Sequence, residues 1–163
     1  MRMKISDLSP EARVWIYQSD RILSESEKVL ILERTNRFLD QWSAHGDRLK
    51  ASAGLYYNTF LVISVEETEI EASGCSIDKS VEFVRQLERD LNINLLNREI
   101  VAFLNNDAIR LEPLNLIKDQ IKAGKINKEN IIFNNLVTTR REMDTNWKIP
   151  LKESWLKKYL PLH

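Results

Sequence analysis

The stretch RLKASAGLYYNTFLVISV, residues 48–65, decides the fold. Its two runs, RLKASAGLYY (48–57) and FLVISV (60–65), are separated by Asn58-Thr59. That spacing predicts a β-hairpin, although Asn-Thr is weaker turn chemistry than Asn-Gly. Working back from the hairpin, Ser24-Glu25-Ser26-Glu27 has the form of a capping box. The Ser24 hydroxyl can accept from the Glu27 amide while the Glu27 carboxylate accepts from the Ser24 amide, which starts a helix. Ile31, Phe38, Leu39 and Trp42 give that helix an apolar stripe, and Gly46 supplies a stop after His45. Ahead of it, RVWIYQS (13–19) alternates Val14/Ile16 with Trp15/Tyr17, the pattern of a short strand that wants cover on both faces.

Working forward, EETEIEASG leads to a second helix from Ser76, with Ile77, Val81, Val84, Leu87 and Leu91 at helical spacing. Asn92 to Asn97 form a turn-rich link to REIVAFLN, where Ile100 to Leu104 reads as a buried strand. Asn105-Asn106-Asp107 then predicts a tight turn into Ala108 to Leu111. In order, residues 13–104 predict strand, helix, strand, strand, helix, strand. This is an α+β fold with a ferredoxin-like βαββαβ core, an antiparallel sheet with helices on one face. Residues 105–163 form a C-terminal extension: a helix near Pro113 to Ala123, a break at Gly124, a strand over Asn130 to Phe133, and an irregular piece with Trp147, Pro150 and Trp155.

Such a sheet leaves one face without helices, and something apolar must cover it. The extension carries two of the four tryptophans. It is therefore expected to fold back with Phe133, Leu136, Trp147, Ile149 and Trp155, a second copy of the chain being the alternative. The 163 residues fit a single domain, 1–163, as a monomer or homodimer.

Lysines and arginines number 24 and aspartates and glutamates also 24, so no net field draws the chain to nucleic acid or an anionic membrane, and neither is an expected partner. MRMKISDLSPEAR lacks the apolar core of a signal peptide, and the longest aliphatic run, Val29 to Leu32, is far too short to span a bilayer. A cytoplasmic location is expected. One cysteine forms no internal disulfide, which suits a reducing compartment.

RVWIYQSDR, FLDQWSAHGDRLKAS and ASGCSIDKSV together resemble a family of small uncharacterised bacterial proteins whose members often carry the label "ABC transporter ATPase". The likeness runs from about Leu8 to Phe103 and is weaker in the extension. It implies membership of that group, with no activity or site residue attached. The label finds no support in the motifs. A P-loop needs G-x-x-x-x-G-K-[ST], whereas here Gly124-Lys125 is followed by Ile126 and Asp119 stands where the first glycine belongs.

Cys75, in ASGCSIDKSV at the head of the second helix, has two readings. Beside a helix N-terminus a thiol can be activated as a nucleophile or redox sensor, and the amides of Cys75, Ser76 and Ile77, next to Gly74, could bind an anion. Free cysteine is also among the most buried residue types and commonly packs as a small hydrophobe. His45 is the candidate base for Cys75, with Asp47 or Asp78 orienting it; its plainer role is to bond the last carbonyls of the first helix. Metal is not expected, because His45, His163 and Cys75 lack paired spacing, and Glu66-Glu67-Thr68-Glu69 with Glu71 reads as a solvated acidic loop. No cofactor is implied. Trp15 and Tyr17 offer a faint parallel to base-stacking sheets, though core beneath the extension is the expected role. Arg140-Arg141 could hold a phosphate or carboxylate, or form an exposed charged turn. The functional expectation is a non-enzymatic module that binds a small ligand or a protein, with a small thiol-dependent enzyme or redox protein centred on Cys75 as the alternative.

Overall fold

The computed structural model describes residues 3–67 and 70–162. The chain runs β1 (Arg13–Gln18), α1 (Glu25–Gln41), β2 (Ser43–Ala44), β3 (Asp47–Arg48), β4 (Lys50–Tyr56), β5 (Phe60–Glu66), α2 (Gly74–Leu91), β6 (Ile100–Asn105), β7 (Ala108–Pro113), α3 (Leu114–Lys122), β8 (Ile131–Phe133), α4 (Arg140–Asn146) and β9 (Lys148–Pro150), with short 3-10 turns near both ends. It is a mixed α+β protein with antiparallel sheets.

The hairpin forms, and its second strand is the centre of the molecule. β5 pairs with β4 on one edge and β1 on the other, giving the order β1-β5-β4. Every residue of β5 is buried, and successive side chains alternate between two cores as a strand's period of two demands. Leu61, Ile63 and Val65 join Tyr17 and Trp15 beneath α1 and α2. Phe60 and Val62 join Val14 and Ile16 on the opposite face. The turn centres on Tyr57 and Asn58, both at positive φ, one residue earlier than Asn58-Thr59. Thr59 is pinned inside the turn, its amide donating to Tyr56 O at 3.0 Å.

The capping box at Ser24 is present in both directions: Glu27 N donates to Ser24 Oγ at 3.2 Å and Ser24 N to Glu27 Oε1 at 2.9 Å. The end of α1 departs from expectation. It stops at Gln41, and the chain makes the small β2-β3 hairpin, whose turn is His45 (φ 53°) and Gly46 (φ 83°). Two consecutive left-handed residues are what a two-residue hairpin turn requires, so Gly46 serves that turn and is not the helix stop. Trp42 is buried at the exit of α1, and its Nε1 donates to Ser76 O in the first turn of α2 at 2.8 Å.

The expected fourth strand takes a different place. β6 does not pair with β1. It pairs with β7 through a turn at Asn106 and Asp107, both left-handed, and with β8 on its other edge, in a second sheet ordered β7-β6-β8-β9. The local hairpin claims one edge of β6, and β8 takes the other at Phe103 and Leu104. The second sheet therefore begins at Ile100, and the boundary expected at residues 104 and 105 falls inside a hairpin.

The open face of the first sheet is covered from within the chain. Phe133, Trp147, Val137 and Met143 pack on Phe60, Val62 and Val14, and Ile5 joins them from the N-terminal segment. Two of the expected covering residues go elsewhere. Leu136 and Trp155 are 63% and 40% exposed, and Ile149 packs with a third cluster around Ile117, Ile132 and Leu156.

Candidate functional site: a cleft along the first strand

Cys75 is exposed in the first turn of α2, so its expected role as a packed hydrophobe is not what the structure has. The anion-binding reading of this turn also loses two of its three amide donors, those of Ser76 and Ile77. Ser73 caps the helix, its Oγ accepting from Ser76 N at 3.1 Å and its carbonyl from Ile77 N at 2.9 Å. Ser76 is buried, its own Oγ donating to Ser73 O at 2.8 Å, while Gly74 faces open space. α2 begins near β2, but His45, Asp47 and Asp78 are all exposed, and among the described residues no hydrogen bond links any of them to Cys75. Thr68, Glu69 and His163 lie outside the described residues.

Trp15 and Tyr17 are core beneath the helices and not beneath the extension. Burial pushes the Tyr17 hydroxyl above its usual pKa, partly offset by hydrogen bonding with Ser80. Trp15 lies edge-on to Trp42, with the Arg13 guanidinium 4.6 Å from its ring centre. Arg140 and Arg141 are not an exposed turn; they open α4, capped by Thr139. Arg140 meets Asp144 at 3.2 Å and Ser9 O at 3.3 Å, and Arg141 meets Glu11 at 2.5 Å. Both cations already have carboxylates.

A cavity lies where the fourth strand of the first sheet was expected. It measures about 570 Å³ and is bounded by the outer edge of β1, the link around Leu95 to Arg98, the start of β6, Phe133 at the end of β8 and residues 135–138 beyond it. That volume falls within the range of pockets that hold small organic ligands. Its two ends are closed by hydrogen bonds. At one, Val14 N donates to Thr138 O and Arg140 N to Ala12 O, each at 2.9 Å. At the other, the buried Gln18 side chain bridges both sheets: Nε2 donates to Ile100 O at 3.0 Å and Oε1 accepts from Asn135 Nδ2 at 2.9 Å. Asn135 in turn accepts from Trp147 Nε1 at 2.9 Å.

Between these closures β1 is an unpaired edge. Residues two apart in a strand present their main-chain groups to the same side. Arg13, Trp15 and Tyr17 face β5, so Val14, Ile16 and Gln18 face the cleft. No hydrogen bond among the described residues reaches the Ile16 amide or carbonyl on that side. Edge groups of this kind are normally blunted or covered. Leu136 and Trp155 stand exposed at the cleft wall. The charged residues lining it are Arg13 and Arg98, with no carboxylate. Arg13 lies 3.5 Å from Glu67, and Arg98 makes no ion pair among the described residues.

The sequence reading singled out none of Ile16, Gln18, Asn135 or Arg98. Gln18 carried the one available signal, a polar side chain at the end of an apolar strand, since buried polar groups are the informative exceptions. No family model, curated protein or solved structure matches the chain. No helix among the described residues is long and apolar enough to cross a membrane.

Proposed function

We propose that the chain is a non-enzymatic binding module of the cytoplasm, and that its ligand, a small molecule or a peptide segment, sits in the cleft beside β1. The observation that carries this reading is the cleft itself: a walled space of about 570 Å³ combining apolar surface, unpaired main-chain groups and two arginines with no lining carboxylate. A few convergent polar groups on an apolar wall are the usual composition of a ligand site. The ferredoxin-like relationship belongs to the proposal too. Residues 13–91 keep its order and its 1-3-2 strand arrangement, and the cleft occupies the place of the missing neighbour of β1. The family resemblance enters only as group membership.

An apolar anion tests the reading without presuming the natural ligand. Octanoate titrated into the ¹⁵N-labelled chain should shift amides of residues 13–18, 95–98 and 135–138. Shifts confined to other surfaces, or none up to millimolar octanoate, would overturn it.

A further inference from the structure

Resting on the cleft as the binding site, we infer that its ligand is a short extended peptide with a carboxylate, which adds as a strand to the free edge of β1. A small molecule needs a pocket, but it does not need a row of main-chain groups. β1 offers such a row: Ile16 N–H and C=O point into the cleft, flanked by the Val14 and Gln18 groups of the same edge. An added strand satisfies both Ile16 groups with its own backbone, the means by which many domains capture peptides.

The closures set the length of the segment. Val14 is tied to Thr138 and Gln18 to Ile100. At about 3.3 Å per residue the intervening edge spans about 13 Å, room for about three residues. Alternate side chains of the segment would then lie toward Leu136 and Trp155, the exposed apolar residues of the wall.

Charge gives the carboxylate. The protein is neutral overall, yet the cleft has two arginines and no lining acid. Arg13 is shared with Glu67 and with the ring of Trp15, while Arg98 is uncommitted among the described residues. Guanidinium groups hold carboxylates in two-pronged, charge-assisted pairs. Arg98 is therefore the group that receives the ligand's carboxylate.

The test uses the full ¹⁵N-labelled chain and a pool of acetylated tripeptides Xaa-Xaa-Asp with free C-termini, Xaa being Val, Ile, Leu, Phe, Tyr or Thr. Binding members should slow hydrogen exchange at the Ile16 amide. Methylating the peptide nitrogen that faces Ile16 O should weaken them about tenfold or more by removing a donor and adding bulk. Arg98→Glu, a change on an exposed link, should weaken them by at least about tenfold while leaving the spectrum otherwise folded. Octanoate serves as the control arm. If octanoate shifts the cleft amides and no peptide does, or if peptides bind without protecting Ile16, strand addition is wrong and the cleft reading stands. If neither probe touches the cleft, both are wrong.

Discussion

The two faces of the β1-β5-β4 sheet are covered by different means. Beneath α1 and α2 the cover follows a helical period: Ile31, Leu39, Val84 and Leu87 project from two capped helices onto Leu61 and Ile63. On the other face the cover is a set of aromatic rings brought from distant positions. Phe60, Tyr57, Phe133 and Trp147 meet pairwise with centroids 4.7 to 6.4 Å apart, mostly edge to face. On the helical face Leu61, Ile63 and Val65 are fully buried. Cover assembled from a few large rings seals the face of β1 but stops short of its edge, and the cleft opens there.

If the ring cluster is integral to the fold, Trp147→Ala should cost as much as a central helix-face truncation. Losing a fully packed tryptophan is expected to lower unfolding free energy by about 3–5 kcal/mol, against about 2–5 kcal/mol for Leu87→Ala. Both variants should still unfold in one urea transition. Two transitions for Trp147→Ala would break the comparison by making the extension a separately melting layer.

The joint between α1 and α2 offers a smaller effect. Trp42→Phe removes the donor to Ser76 O and should cost about 1 kcal/mol, or somewhat more where the indole's packing is also lost. A loss much above that would mean the indole's packing carries the joint, not its hydrogen bond.

On the ring-covered face, Glu66 accepts from Ser9 N at 2.7 Å and Ser9 Oγ at 2.6 Å, which holds its carboxyl below the usual value of 4.5. A carboxylate with a lowered folded pKa stabilises the protein above the unfolded value. That contribution disappears as pH falls through the folded one. Glu27, held by Arg21 and Ser24, behaves the same way with a value of about 2. Urea midpoints should therefore fall between pH 5 and pH 3, and Ser9→Ala should fall less steeply because part of the Glu66 linkage is already gone. Equal slopes would show that Ser9 does not hold Glu66 in solution.

The smallest expected effect is at Cys75. Its exposure predicts alkylation by iodoacetamide in the folded protein at the rate of an ordinary accessible thiol, unchanged in His45→Ala. Fast reaction well below pH 8 that slows in His45→Ala would return the thiol-enzyme alternative to consideration.

What could be read from sequence divides along the same line as the two faces. The helix start at Ser24, the alternation in β1, the β4-β5 hairpin and the Asn106-Asp107 turn all depend on residues within a few positions of one another. Local propensity and period sufficed for them. The placement of β6 did not follow. An apolar run such as IVAFL pairs equally well with β1 or with β7 and β8, and only the competition among edges decides. The cleft is the consequence of that competition, so Asn135 and Arg98 had no local signature as a site, and Gln18 had only that of a polar residue closing an apolar strand. Cys75 failed for a different reason: its usual preference for burial is a tendency of the residue type, and at the second position of a helix whose buried face begins at Ser76 the side chain points outward.

The most direct test of the central claim is native-state hydrogen exchange along β1 in the ligand-free protein. The Trp15 and Tyr17 amides face β5 and should exchange only with global unfolding. The Ile16 amide faces the cleft and should exchange faster by orders of magnitude. Protection at Ile16 equal to that of its neighbours would mean that the edge of β1 is already paired and that the cleft is closed in solution.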